Sequence, residues 1–393
     1  MNGTIYMPVG EVCSSISDTY REKKNMVTLI NTSDVLEGRV LNHERVPNSN
    51  LKGQFKKTFQ RDDILYSEIR PQNRRFAYVD FSPIDYIAST KLMVIRAKKD
   101  VVYPKYLYYF LKNSSTVAEL QLLAETRSGT FPQITFSEVA NLTIPVPSLA
   151  VQEVIVQTMQ CLEDKITCNE QINDNLEQQA QSYFQELFVD NADPEWAIGT
   201  ISDLGTVVGG STPSKAKPEY YTESGIAWIT PKDLSINKSK FVSHGENDIT
   251  ELGLKNSSAA IMPEGTVLFS SRAPIGYIAI AAGEVTTNQG FKSVVPKPEI
   301  GTPFVYFFLK NTLPVIEGMA SGSTFKEVSG STMKNVPAVI PDAETLAKFR
   351  DFCAPIFAQQ RILEEQNQSL ATLRDNLLPK LMSGEIDVSA VQL

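Results

Sequence analysis

The sequence predicts a mixed α/β protein of two homologous modules and two long helices, the helices pairing as an antiparallel coiled coil with approximate two-fold symmetry. Three observations carry this. Residues Ile64 to Asn113, reading ILYSEIRP and later YLYYFLKN, recur as Val267 to Asn311, reading VLFSSRAP and later VYFFLKN, about two hundred positions on. Each copy then reaches a proline-punctuated strand, Ile144-Pro145-Val146-Pro147 and Val339-Ile340-Pro341, and a long polar helix pattern. Finally, both helix patterns carry a heptad seam. A period this long exceeds the roughly 20 to 50 residues of solenoid repeats and indicates duplicated domains. Two copies around a two-fold axis suit a partner with its own two-fold symmetry, of which duplex DNA is the commonest.

The boundaries follow from these signals: a first module at 1–148, a central helix at 149–188, a second module at 189–341, a C-terminal helix at 342–384 and a tail at 385–393. A chain of 393 residues with 42% hydrophobic content fits two or three soluble domains. No apolar run approaches the roughly eighteen residues of a membrane span, and Met1 is not followed by a basic segment and an apolar stretch, so a cytoplasmic protein without membrane attachment is expected. Cys13, Cys161, Cys168 and Cys353 lack metal-ligand spacing and companion histidines, and read as reduced thiols.

In the first helix Ile155, Leu162, Asn169, Leu176 and Tyr183 form one row, and Met159, Ile166, Asn173, Ala180 and Leu187 the row four positions on. In the second, Phe349, Ile356, Leu363, Leu370 and Leu377 form the first row. Its companion row is poorer, Cys353, Gln360, Asn367, Arg374 and Leu381, with Leu373 and Leu378 expected to widen the apolar face. Two arrangements fit: each helix packed on its own module, or the two paired with each other. Asparagines inside a paired seam fix register at a cost in stability, and Asn173 and Asn367 stand at equivalent places. Helices of some 35 residues span on the order of 50 Å, about one and a half turns of duplex, and would serve as a ruler.

The modules alternate short strands with turns. Trp228 to Leu234 reads as a short strand broken by a turn, and Gly265 to Ser270 as a strand ending at the loop Ser271 to Gly276. After the apolar run Tyr277 to Ala282 comes the polar turn Thr287-Asn288-Gln289-Gly290, then a strand at Phe291 to Val295. Pro303 opens a helix to Asn311, matching Pro104 to Asn113.

Charge is uneven. Residues 1–148 carry 19 Lys and Arg against 15 Asp and Glu, whereas 149–188 carry one against seven. For 189–341 the balance is 12 against 15, and for 342–393 it is 5 against 8, within a total of −8. Screening over about 8 to 10 Å makes the field local, so an acidic chain still presents basic surfaces.

The stretches WITPKDLS, GTVLFSSRAPIGYIAIA and TTNQGFKS closely resemble a target recognition domain of type I restriction-modification specificity subunits. Gly209 to Lys215 and Ile201 to Gly205 are similar to the approach to that domain, and Leu377 to Ile386 to the ending such subunits share. The first module matches less fully: Ser67-Glu68-Ile69-Arg70-Pro71 stands in for SSRAPIG, and no TNQG counterpart survives. The resemblance implies that each module reads one half of a bipartite DNA site and that the helices set the gap. The implied partners are double-stranded DNA, two adenine methyltransferase subunits and motor-nuclease subunits. It implies no cofactor in this chain, with S-adenosylmethionine, ATP and Mg on the partner subunits. A coiled-coil scaffold that binds no DNA is the rival from another class, and the recognition half of a fused restriction-methylation enzyme a further one.

Catalytic signals are missing. There is no phosphate-binding Gly-x-x-x-x-Gly-Lys loop, no Asn-Pro-Pro-aromatic motif for a flipped adenine and no glycine-rich turn for S-adenosylmethionine. His43 and His244 lie in polar loop sequence. A non-catalytic, metal-free binding protein is expected. Recognition then falls to side chains that reach phosphates and base edges. The first module offers Lys52, Lys56, Lys57 and Arg61, then Arg70, Arg74 and Arg75 around a turn. The second offers Ser211, Lys215, Lys217, Lys232, Lys238 and Lys240 in loop-rich sequence. Arg272, in its Ser-Arg-Ala-Pro turn, suits either a phosphate contact or a fold-holding hydrogen bond.

Overall fold

The computed structural model describes residues 4–49, 53–127, 131–322 and 326–388. It divides into two compact units, residues 1–166 with 369–393, and residues 167–368. Each unit thus holds one module and a share of both long helices. The sequence boundaries follow elements, whereas the compact units cut both helices midway.

The duplication is visible in strand order. In the first unit one antiparallel sheet runs Cys13–Ile16, Leu92–Ala97, Ile64–Ser67, Phe76–Tyr78; in the second the matching order is Gly205–Gly209, Lys292–Pro296, Val267–Ser271, Ile275–Ala281, with Phe241–Val242 added at the edge. A second sheet in each unit contains one parallel pair, Tyr86–Ser89 beside Met26–Ile30 and Ile226–Ile229 beside Thr286–Thr287. A two-stranded ribbon closes each module: Ile5–Pro8 on Thr143–Val146, and Ala197–Thr200 on Pro337–Ile340. The ribbon joins the module's ends, which places the start of the long helix beside the start of the module.

Two elements differ from the sequence reading. The turn after Trp228 is a helix, Pro231–Ile236, because Thr230 and Asp233 form a reciprocal capping box. The helix opened by Pro303 runs from Thr302 to Met319, whereas its counterpart stops at Lys112 and a second helix, Ser114–Arg127, follows.

The central helix spans Leu149–Gln185 and the C-terminal helix Ala343–Ser383. They pair with each other and also pack on the modules, so both arrangements allowed by the seams contribute. In the first unit Ile155, Val156 and Met159 share a core with Leu378, Leu381 and Met382. In the second, Asn169 Nδ2 donates to Asn367 Oδ1 at 2.8 Å and Gln360 Nε2 to the Asn173 carbonyl at 3.2 Å. Low numbers meet high ones throughout, so the pairing is antiparallel. Three members of the poor row are buried, Cys353, Gln360 and Leu381 being at most 4% exposed, while Asn367 and Arg374 are half-buried. Leu373 does not widen the apolar face, being 50% exposed, while Leu378 does.

The repeated Leu-Lys-Asn sequence has one task in both copies. Lys112 pairs with Glu163, which also accepts from Tyr109 Oη at 2.9 Å. Lys310 pairs with Glu177 at 2.5 Å, and Glu177 accepts from Tyr306 Oη at 3.1 Å. Each module helix is therefore clipped to a carboxylate of the central helix, which gives two of that helix's acidic residues a structural task.

Candidate nucleic-acid interface

Four stretches singled out in the sequence converge at one corner of the second unit. Ser211 N donates to the Thr287 carbonyl at 2.8 Å, Asn288 N to the Ile229 carbonyl at 3.0 Å and Ser271 N to the Gly290 carbonyl at 2.7 Å. Trp228 Nε1 donates to the Ser211 carbonyl at 3.0 Å. A Cβ on Gly210 would lie 1.9 Å from the Asn288 carbonyl oxygen, so only glycine permits this approach. Asn288 Oδ1 accepts from Gly290 N at 2.8 Å, a side-chain turn that holds Gln289 at an exposed tip. Ala273 takes a φ of 50° in the neighbouring hairpin corner, whose strand end is braced by Ser270 Oγ donating to the Pro274 carbonyl at 2.8 Å.

The first unit builds the same corner from different residues. Ile64 faces Ile95 as Val267 faces Val294, which sets Ser89-Thr90-Lys91 at the place of Asn288-Gln289-Gly290. Ser89 Oγ accepts from Lys91 N at 3.2 Å, and Glu68 N donates to the Lys91 carbonyl at 3.0 Å, repeating both bonds of the second unit. Arg70, at the place of Ala273, is likewise left-handed with φ 45°. The expectation that no TNQG counterpart survives in the first module is therefore wrong: Ser89-Thr90-Lys91 is that counterpart, and serine in place of asparagine hides it from the sequence.

The candidate cations fall into distinct environments. Lys56, Arg61, Arg70 and Lys215 are exposed, with no side-chain hydrogen bond or ion pair among the described residues. Lys217 and Lys238 are exposed and lie over Tyr220 and Tyr277 at 5.2 and 4.7 Å, and Lys232 pairs with Glu246 at 2.5 Å. Ser211 is spent on the knit, its Oγ accepting from Ser258 N at 3.3 Å. Arg74 donates to Ser114 Oγ at 2.9 Å and Arg75 to the Ser33 carbonyl at 3.0 Å. Lys52 lies outside the described residues.

Two lysines depart from the loop cluster in which the sequence placed them. Lys57 Nζ donates to the carbonyls of Thr90 and Leu92 at 3.0 and 2.8 Å, tying the turn of the first corner, and burial lowers its pKa. Lys240 is buried, held by Glu177 at 2.7 Å and Gln360 Oε1 at 2.8 Å, with its Nζ 3.6 Å from the Phe357 ring centroid. Burial lowers its pKa to about 8. Both are structural clips, because an ammonium committed inside a unit has no direction left for a phosphate. Conversely, the sequence reading passed over Lys91, which contacts Glu68 and Gln133 at 3.4 and 3.1 Å, and Lys292, which contacts Glu327 at 3.8 Å. The signal that would have found them is their place at the two corner turns.

His43 lies beside Tyr86 Oη, and His244 beside the Ser243 carbonyl; among the described residues neither faces a carboxylate within hydrogen-bonding distance. Among the described residues no three histidine, cysteine or carboxylate side chains gather as a metal site, and no helix is long and apolar enough to cross a membrane.

Two modules of one fold, each with a basic corner and a long helix, are the architecture of a known family. The type I restriction modification DNA specificity domain matches the chain twice, over residues 6–178 and 194–374, and the chain belongs to that family. It is 29% identical over 435 residues to the HindI specificity subunit of Haemophilus influenzae, covering 92% of this chain and 94% of that one. It is 39% identical over 194 residues to the MjaIX specificity subunit of Methanocaldococcus jannaschii, covering 47% and 45%. Among solved structures, a type I restriction-modification S subunit from M. genitalium shares the fold with a TM-score of 0.56 at 17% identity, covering 97% of this chain and 96% of that one.

Proposed function

We propose that the chain is the DNA-sequence specificity subunit of a type I restriction-modification complex, without catalysis of its own. Each module reads one half of a bipartite site, and the paired helices set the number of unread base pairs between them. Two adenine methyltransferase subunits and motor-nuclease subunits are its partners, and these carry S-adenosylmethionine, ATP and Mg. The observation that carries this reading is the repeated corner: one backbone scaffold built twice, bearing different side chains. That is what reading two different half-sites with one docking geometry requires. Lys56, Arg61 and Arg70 in the first module, and Lys215, Lys217, Lys232, Lys238 and Arg272 in the second, supply phosphate contacts. The scaffold alternative has no such explanation for why the corners differ in side chains while keeping their bonds.

Sequencing methylated adenines in a genome that expresses this chain with its methyltransferase tests the proposal. A two-part motif with a fixed gap, present only when this chain is expressed, is expected. Methylation independent of the chain would refute it.

A further inference from the structure

Position 327 closes the second corner. The Glu327 backbone exchanges hydrogen bonds with Ser321 at 2.8 and 3.1 Å, so strand pairing fixes the residue whatever its side chain does. Its carboxylate lies 3.5 Å from Arg272 Nη1 and 3.8 Å from Lys292 Nζ, one oxygen toward each cation. Lys292 is also directed by the Gln289 carbonyl at 3.3 Å, at the tip of the tight turn. Arg272 and Glu327 line a cleft with Ala273, Pro274, Ile275, Glu317 and Lys326, and Lys292, its side chain 16% exposed, reaches Glu327 from beside it. The contacts are long for ion pairs, and Arg272 and Glu327 are 38% and 40% exposed, so solvent and solutes reach them.

The first corner repeats the arrangement with a neutral residue. Val328 N donates to the Ser271 carbonyl at 3.0 Å as Ile134 N does to Glu68 at 2.8 Å, which makes Gln133 the counterpart of Glu327. Gln133 Oε1 accepts from Lys91 Nζ at 3.1 Å, and Lys91 is 50% exposed. Both units therefore hold a cation at the recognition turn by an oxygen from the same structural position.

We propose that these corners are backbone-phosphate sites of the DNA interface, Arg272 with Lys292 in one and Lys91 in the other, and that Glu327 is a placeholder for the phosphate. Two cations converging on one anionic group is the geometry that a phosphodiester satisfies, with its two unbridged oxygens in place of the two carboxylate oxygens. Gln133 holds its lysine without neutralising it, and the charge of Lys91 is met by Glu68 at 3.4 Å. A phosphate therefore takes the place of a carboxylate in each corner, Glu68 in the first and Glu327 in the second. The inference rests on the DNA-binding reading of the preceding subsection.

The test is the salt dependence of binding between the full chain and a fluorescent duplex of mixed sequence. Glu327→Gln installs the residue that the other copy carries, so folding is preserved. It should tighten binding about two- to five-fold, the range for freeing cations from an exposed ion pair. Gln133→Glu should weaken binding by a similar factor. Lys91→Ala, and Arg272→Ala with Lys292→Ala, should each flatten the slope of log affinity against log salt by about one unit for every phosphate no longer neutralised. If the parent chain binds with a steep slope and all four variants match it while melting lower, the corners are structural clamps and the inference fails alone. If the parent shows no salt-dependent binding, the DNA reading fails with it.

Discussion

Side chains of one type serve opposite ends in this molecule, and lysine shows it best. Lys56 and Arg61 stand in solvent, whereas Lys57 between them ties down two carbonyls of the first corner. Replacing Lys56 and Arg61 by Ala should flatten the salt slope of DNA binding by about one unit per phosphate without changing the melting temperature. Lys57→Ala should instead cost about 1 to 3 kcal/mol of stability, the penalty for leaving carbonyls unpaired. Chemical denaturation and binding isotherms on the three proteins decide, and a destabilised Lys56→Ala, Arg61→Ala protein would contradict the assignment. Lys240 adds a pH signature. Burial lowers its folded pKa to about 8, against an ordinary value of 10.5, while Glu177 and Lys310 press on it from either side and Glu364 caps its backbone N–H. Between those values the unfolded chain binds more protons at this site, so Lys240 adds stability as pH climbs from about 8. From about 9 upward Cys13 and Cys353, whose thiols burial pushes up to about 12, act in the opposite sense, and the buried Tyr66, Tyr106 and Tyr109 join them above 10, because the unfolded chain then loses protons first. From pH 8 to 9 the melting temperature should rise more in the parent than in Lys240→Met; equal profiles would place the charge balance elsewhere. None of this was legible in the sequence, since the partners of Lys240 are 63 and 120 positions away. Loop composition identifies lysines but not which are spent internally.

Elements were read well wherever a period governed them. The seven-residue spacing located both long helices and their buried rows, because burial of one face is a property of the helix itself. Polar members of the seam were harder: Gln360 looked like a weak position and is instead a bridge from Lys240 to the Asn173 carbonyl. The capping box at Thr230 and Asp233 was present in the sequence and starts a helix where a turn was expected, directly after the strand Ile226–Ile229. The repeated turn was missed because its equivalence lies in hydrogen bonds, Ser89 doing the work of Asn288, and not in residue identity. Asn169 faces Asn367, so a heptad can be removed from each helix as a matched pair. Deleting Lys165 to Gln171 together with Glu365 to Ala371 leaves the clips at Glu163, Glu177, Gln360 and Glu364 in place. Seven residues are about 10 Å of helix, so the methylated motif should keep both halves and lose about three base pairs of gap. An unchanged gap, or an altered half-site, would show that the helices do not set the spacing.

At the scale of the whole chain, one scaffold built twice with different side chains makes the reading of DNA modular. The net charge of −8 argued against DNA in aggregate, and only its division among segments left the reading open. The scaffold belongs to the repeated corners and the clipped helices, and the divergent side chains to the modules. The second module should therefore be exchangeable for that of a related chain. The upstream boundary falls in Asp190 to Glu195, all exposed, and the downstream one just after Pro341. The donor needs a tryptophan at 196, because Trp196 Nε1 donates to Asp342 Oδ2 at 3.0 Å and Asp342 also caps the C-terminal helix through Thr345 N at 2.9 Å. With that contact kept, and with a donor that carries the counterparts of Lys240, Tyr306 and Lys310 to meet Glu177, the graft disturbs little packing. Methylome sequencing of cells expressing the hybrid with the methyltransferase is the direct measurement. One half of the motif should change to the donor's and the other half should stand; a folded hybrid that still methylates the parental sequence, or one that changes both halves, would contradict the claim that each module reads its own half-site.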